Sequence, residues 1–334
     1  MDLNVLWFCL IGVLFGGFFF LEGFDFGVGM WVPFLGRNDL ERRVAIHSIG
    51  PVWDANEVWL LTAGGAMFAT FPGWYATLFS GGYLALFLVL AALIVRGVSF
   101  EFRGRVESRA WKKMWDAGLA VGSLLPPLLL GVAMADLLAG LPINAAGDYA
   151  GNFWNLLTLQ GLLTGVMAVS VFLYHGAVYL SLKVNGVVLD RARKAADISG
   201  IPALALASLT GLSALFLTDA GKHPFAIMLG ILAIGLLGAS YWFSRNRRHG
   251  CALLMNGLSI AGGIASLFAA LFPRVMVSTL SPDYNLTIYN SSSTPYTLKV
   301  ISIITLTVLP IVIGYFLWTY RVFRHRVDPK KLEY

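Results

Sequence analysis

The sequence predicts an all-α integral membrane protein with nine transmembrane helices, and three observations carry that expectation. The chain is 57% hydrophobic and 13% charged, where a soluble domain carries about 25% charged residues. Its apolar residues come in continuous blocks near the ~20-residue length that crosses a ~30 Å hydrocarbon core. These blocks do not alternate, so they indicate helices and not a barrel. The basic residues also sort by side. Spans near residues 5–33, 50–71, 75–97, 116–139, 153–180, 200–218, 224–244, 250–273 and 297–320 put all but Lys222, Arg274 and Lys299 of the 24 basic residues on one side. Positive charge stays in the cytoplasm, so the N-terminus is expected outside and the C-terminus inside.

The first span has no basic residue before it and no small-residue cleavage site, so it reads as a retained helix and not a signal peptide. Glu22 and Asp25 interrupt its inner half. Asp54 and Glu57 open the second span near the same side. Each pair is spaced i,i+3 and shares a helix face. An ionised group inside a bilayer costs several kcal/mol, so such residues usually line a polar path or hold a proton. The bland alternative is packing. Asp54 and Glu57 also suit the first turns of a helix, where acids cap it and favour its dipole. The third span ends at Arg96, which either snorkels or pairs with these acids. The basic stretch Arg103 to Lys113 reads as a topology signal with attraction to anionic lipid.

Pro126-Pro127 should kink the fourth span, and Gly12/Gly16 and Gly118/Gly122 suit close helix contact. The fifth holds His175, the one histidine well inside a span. A low-spin haem needs two axial ligands, so a lone His175 reads as a packed residue. The methionines are scattered core filler. Cys9 and Cys251 lie in separate apolar runs and support neither a disulfide nor a metal site. Many tryptophans mark span ends, whereas Trp59 lies inside the second span beside the acidic face. The segment Arg274 to Tyr296 is the longest outer loop, and Asn285-Leu286-Thr287 matches a glycosylation pattern. A net charge of +6 reports orientation here, and no nucleic-acid partner is expected.

Several motifs together resemble one family. Gly23-Phe24-Asp25-Phe26-Gly27-Val28-Gly29-Met30, Phe34-Leu35-Gly36-Arg37-Asn38-Asp39 and Trp53-Asp54-Ala55-Asn56-Glu57-Val58-Trp59-Leu60 are similar to signatures of subunit II of the cytochrome bd quinol oxidases. Met114-Trp115-Asp116, Gly122-Ser123-Leu124-Leu125-Pro126-Pro127 and Gly151-Asn152-Phe153 extend the resemblance, which is dense over residues 1–182. It implies a single transmembrane domain over 1–334. Bundle one would cover about 1–140, bundle two about 150–273, and a peripheral helix about 297–320. Two four-helix bundles plus that helix would pair with a homologously folded subunit I in a bacterial cytoplasmic (inner) membrane. The complex would oxidise quinol and reduce dioxygen to water, with the chain inactive alone. Haem b and haem d would be ligated mainly or wholly by the partner. A bound quinone or lipid, and a small accessory subunit, are left open.

Carried over to this sequence, the resemblance implies proton delivery by Asp54 and Asp25 with Glu22 and Glu57 in support. It places Trp59 near an oxygen access route and Arg96 near haem propionates. Two other classes compete. A proton-coupled secondary transporter would also use intramembrane acids, but no matching pair of halves is visible. A purely structural membrane subunit would hold the same acids neutral and packed.

Overall fold

The computed structural model describes residues 2–329, so the tail residues Lys330 and Lys331 counted for orientation lie outside the described residues. The helices run α1 (Leu3–Leu35), α2 (Asp39–Ile49), α3 (Trp53–Thr70), α4 (Pro72–Gly81), α5 (Tyr83–Phe102), α6 (Arg109–Ala139), α7 (Leu159–Lys183), α8 (Gly186–Leu217), α9 (Pro224–Arg245), α10 (His249–Leu271) and α11 (Pro295–Val322). Eight of them, α1 and α5 to α11 without a gap, are long and apolar enough to cross a membrane. The expected second span falls on α3, whose 18 residues begin with Trp53-Asp54 and stand outside that group.

Three of the differences from expectation have a clear local reason. The third span is broken: Pro72 starts α4 in the first helical turn, where a missing N–H costs nothing, and the chain turns at Gly82 before α5. The sixth starts early, because α8 continues through the charged stretch Asp190 to Lys194. The connection between the first two expected spans contains α2, whose start is a capping arrangement: Asn38 Oδ1 accepts from the Glu41 N–H at 2.9 Å, and Asn38 Nδ2 donates back to Glu41 Oε1 at 3.1 Å. α6 runs unbroken through Pro126 and Pro127.

α1 is the hub, packed against α3, α6, α7 and α10. Its closest approach is to α7. A Cβ on Gly27 would lie 1.9 Å from the Phe172 carbonyl oxygen, and one on Gly176 would lie 2.3 Å from the Gly27 carbonyl carbon. Only two facing glycines allow that separation. Gly122 likewise admits α5, since its Cβ would lie 2.6 Å from the Ala92 carbonyl oxygen and 2.7 Å from Arg96 Cβ. α11 lies at the edge and touches α1 and α3 lightly.

The two ends of the bundle differ. At one end the chain start meets the long segment between α10 and α11: Asn4 Nδ2 donates to the Ile288 carbonyl at 2.8 Å and Tyr289 Oη donates to Asp2 at 3.0 Å. That segment is folded, with β1 (Arg274–Met276) antiparallel to β2 (Leu286–Thr287). Asn285 is used internally, its Oδ1 accepting from the Ser278 N–H at 2.7 Å.

At the other end, the basic stretch after α5 does more than mark topology. Arg103 is buried and pairs with Asp116 at 2.6 Å and Asp39 at 2.9 Å, while Arg42 reaches Asp116 at 2.8 Å and Arg191 reaches Glu41 at 2.6 Å. Partial burial works against the charge of Asp39, but hydrogen bonds from Arg103 and Lys112 outweigh it, and its carboxyl sits below the usual value. Glu41 is also held low: slight desolvation is outweighed by the backbone N–H of Arg37 and by Arg191.

Candidate functional site

α1 and α3 bring a set of acids around one arginine of α5, and α11 adds a tyrosine beside them. Glu22 and Asp25 face inward from α1 with no exposed surface, and Arg96 of α5 is equally enclosed. Arg96 Nη1 lies 2.6 Å from Glu22 Oε1 and donates to Glu57 Oε1 of α3. The guanidinium carbon sits 4.9 Å from the Phe26 ring centre, 5.7 Å from Phe100 and 5.9 Å from Trp53. Trp53 and Phe100 stack on each other at 4.7 Å. A cation among aromatic faces is favoured by their quadrupoles, most strongly where water is excluded.

Asp25 is held separately. Asn56 Nδ2 donates to Asp25 Oδ2 at 2.6 Å, and Asn56 Oδ1 accepts from the Tyr320 hydroxyl of α11 at 2.8 Å. Asn56 and Tyr320 are additions that sequence reasoning missed. A neutral amide beside charged neighbours and a tyrosine near a span end look like surface or belt residues, so neither carried a signal.

Asp54 stands apart. It is exposed at the start of α3, and no hydrogen bond or ion pair reaches it among the described residues. It shares a face with Val58, Leu61 and Phe68, all exposed, so a carboxylate heads an otherwise apolar stripe. Glu57, one turn on, points inward to Arg96. The four acids therefore form a graded series, with Asp54 outside, Glu57 at the rim, and Glu22 and Asp25 inside. Trp59 packs on α1, where a Cβ on Gly17 would lie 2.5 Å from its ring, and meets Phe316 edge-on at 5.7 Å.

The cluster is short of partners. Glu22 Oε2, Asp25 Oδ1, Arg96 Nε and Arg96 Nη2 are buried without a hydrogen-bond partner among the described residues. Three carboxyls around one guanidinium also leave charge unbalanced if all ionise. Protons or waters are the natural complement.

His175 is fully buried nearby, and both ring nitrogens are taken. Asn256 Nδ2 contacts Nδ1 at 2.9 Å, and Nε2 lies 3.1 Å from the Phe20 carbonyl oxygen. An amide donor at Nδ1 leaves the proton on Nε2. Such an imidazole offers no free lone pair, so His175 does not fit as an axial ligand to haem iron.

A family model described as cytochrome bd terminal oxidase subunit II matches residues 3–323. The chain is 46% identical over 333 residues to cytochrome bd ubiquinol oxidase subunit 2 of Bacillus subtilis (strain 168), covering 99% of this chain and 98% of the relative. It is 36% identical over 366 residues to cytochrome bd-I ubiquinol oxidase subunit 2 of Escherichia coli (strain K12), covering 99% and 97%. A chain of the solved bd oxidase from Geobacillus thermodenitrificans shares the fold, with a TM-score of 0.75 at 18% identity over 97% of this chain and 99% of the other.

Proposed function

The chain belongs to the cytochrome bd terminal oxidase subunit II family, and from that premise we propose how its buried acids serve the complex. It is a multi-pass membrane protein acting within a quinol oxidase that contains haem and a subunit I. Its part, in this reading, is to deliver protons from the cytoplasm of a bacterial inner membrane toward the haem-bearing partner. Haem b and haem d are assigned to subunit I, in keeping with the fully engaged His175.

The single observation that carries the reading is the meeting of Glu22 and Glu57 on Arg96 while Asp54 stands exposed one turn away. Asp54 takes up a proton at the surface that faces the partner. Glu57 lies next inward. Arg96 holds Glu57 and Glu22 at one point, and Asp25 lies a further turn along α1. Transfer needs hydrogen-bond reach or one intervening water, which the buried atoms without partners can bind. Arg96 acts as internal counter-charge. Full enclosure by three aromatic rings favours that role over the propionate contact that the resemblance implied. Trp59, packed against α1, walls an apolar approach suited to dioxygen.

The same reading makes α3 the remaining crossing, about 27 Å long at 1.5 Å per residue. It groups α1, α3, α5 and α6 as one bundle, α7 to α10 as the other, and α11 as peripheral. The chain start outside fits its contacts with the segment between α10 and α11, and the tail inside fits the Val327 N–H bonded to the Lys183 carbonyl at 2.8 Å, at the far end of α7. A cavity of about 430 Å³ among α6, α7, α8, α9 and α10, lined by Met134, Gln160, Thr210, Ile234 and Leu267, suits the hydrocarbon tail of a quinone or lipid.

The test is Asp54→Asn in the intact complex. Oxygen turnover should fall by roughly tenfold or more, with the reduced-minus-oxidised haem spectrum unchanged. Full turnover across the pH range would end the reading.

A further inference from the structure

α8, α9 and α10 meet at a corner crowded with cations. Arg193 of α8, Arg245 at the end of α9, and Arg247 and Arg248 in the turn to α10 gather there, with Arg326 from the tail also facing His249. Among the described residues, two carboxylates pair with them. Asp197 lies 3.2 Å from Arg247 and 4.0 Å from Arg245, and Asp190 lies 4.0 Å from Arg193. Arg326 also donates to Asn185 at 2.7 Å.

His249 is the informative residue. It is 5% exposed, yet neither ring nitrogen has a hydrogen-bond partner among the described residues. Arg193 Nε and Asp197 Oδ1 are buried and unpartnered in the same way. Buried polar atoms in proteins are nearly always satisfied. A topology signal needs only positive charge, and it accounts for neither a buried imidazole nor a buried guanidinium nitrogen without a partner.

Two features of the backbone point the same way. α10 begins at His249 with no side-chain cap, so its first N–H groups and its dipole address this corner. Arg247 holds a φ of 61°, in the left-handed region that favours glycine, and so places an arginine where the turn alone would prefer none. Guanidinium forks, an imidazole and a helix N-terminus are the donors that recognise phosphate oxygens.

We propose that this corner binds a phosphate oxyanion, carried either by the headgroup of an anionic phospholipid or by a soluble phosphate compound. Trp242, 59% exposed near the end of α9, sits at the level where indole rings meet headgroups.

The experiment uses the complete complex, stripped of lipid in mild detergent. Its thermal unfolding midpoint is followed against dioleoylphosphatidylglycerol in micelles and, separately, against inorganic phosphate. A ligand that binds the folded state raises the midpoint saturably. Arg193→Gln and, independently, Arg247→Gly should each weaken that response by roughly tenfold. The second variant suits the positive φ and keeps the turn. A response to the lipid alone supports the site and assigns the headgroup. A response to phosphate supports it and assigns a soluble anion. No response to either probe, or one that both variants leave unchanged, overturns the proposal.

Discussion

Arg96 balances Glu22 and Glu57 directly, with Asp25 acting on it at longer range. Removing a buried ion's partner costs about 3–5 kcal/mol, because the remaining charge stays in a dry site. Arg96→Gln should therefore lower the amount of assembled complex, measured as haem spectrum per unit membrane. Arg96→Gln combined with Glu22→Gln should recover part of that loss, since the orphaned carboxyl is gone too. If the double variant is no better than the single, the pairing is not what matters. At this scale the acids were legible, because a carboxylate within an apolar run stands out whatever its partners. The inward turn of Arg96 was not. A cation at a span end is equally consistent with snorkelling, and only the Gly122 contact that lets α5 approach α6 decides between them. The Tyr320 to Asn56 bond joins residues 264 positions apart and leaves no local trace.

Between elements, the α1–α7 crossing is the most demanding contact. Gly176→Ala would put a methyl group 2.3 Å from the Gly27 carbonyl carbon, a clash with backbone that no side-chain rotation relieves. Overpacking of this kind costs about 1–3 kcal/mol, so the thermal midpoint of the complex should drop, whereas Gly235→Ala, where an added Cβ meets nothing, should leave it unchanged. α2 responds to pH instead. Asp39 and Glu41 are both held below their ordinary values of 3.8 and 4.5. Their contribution is complete above those values and is lost as pH falls through the lower folded-state values. Acidification from pH 5 toward ~3 should destabilise wild type more than Asp39→Asn, as read by thermal unfolding at each pH. The start of α2 was readable from Asn38 and Glu41, yet residues 39–49 are too polar for a span and short enough to pass for a loop. The break at Gly82 was hidden by unbroken hydrophobicity, which reports burial in lipid and not helix continuity.

For the molecule as a whole, the exposed face of α3 is unlike that of α11. Asp54 above Val58, Leu61 and Phe68 cannot face lipid cheaply, whereas Ile303, Leu306 and Ile311 on α11 are exposed with no charge among them. A photoreactive residue at Leu61 should therefore cross-link subunit I, and one at Ile311 should label lipid. Cross-linking of the partner from Ile311 alone would reverse this arrangement. Apolar blocks made the eight long apolar helices legible, since hydrophobicity is a property of sequence against a bilayer. Which helices touch was not, because all of them present similar greasy surfaces. The Tyr320 hydroxyl also has a temporal meaning. Glu22, Asp25, Glu57 and Arg96 are synthesised before the group that completes the amide bridge to Asp25, which comes with α11. A nascent chain thus cannot close the bridge over Asp25 until α11 has been made.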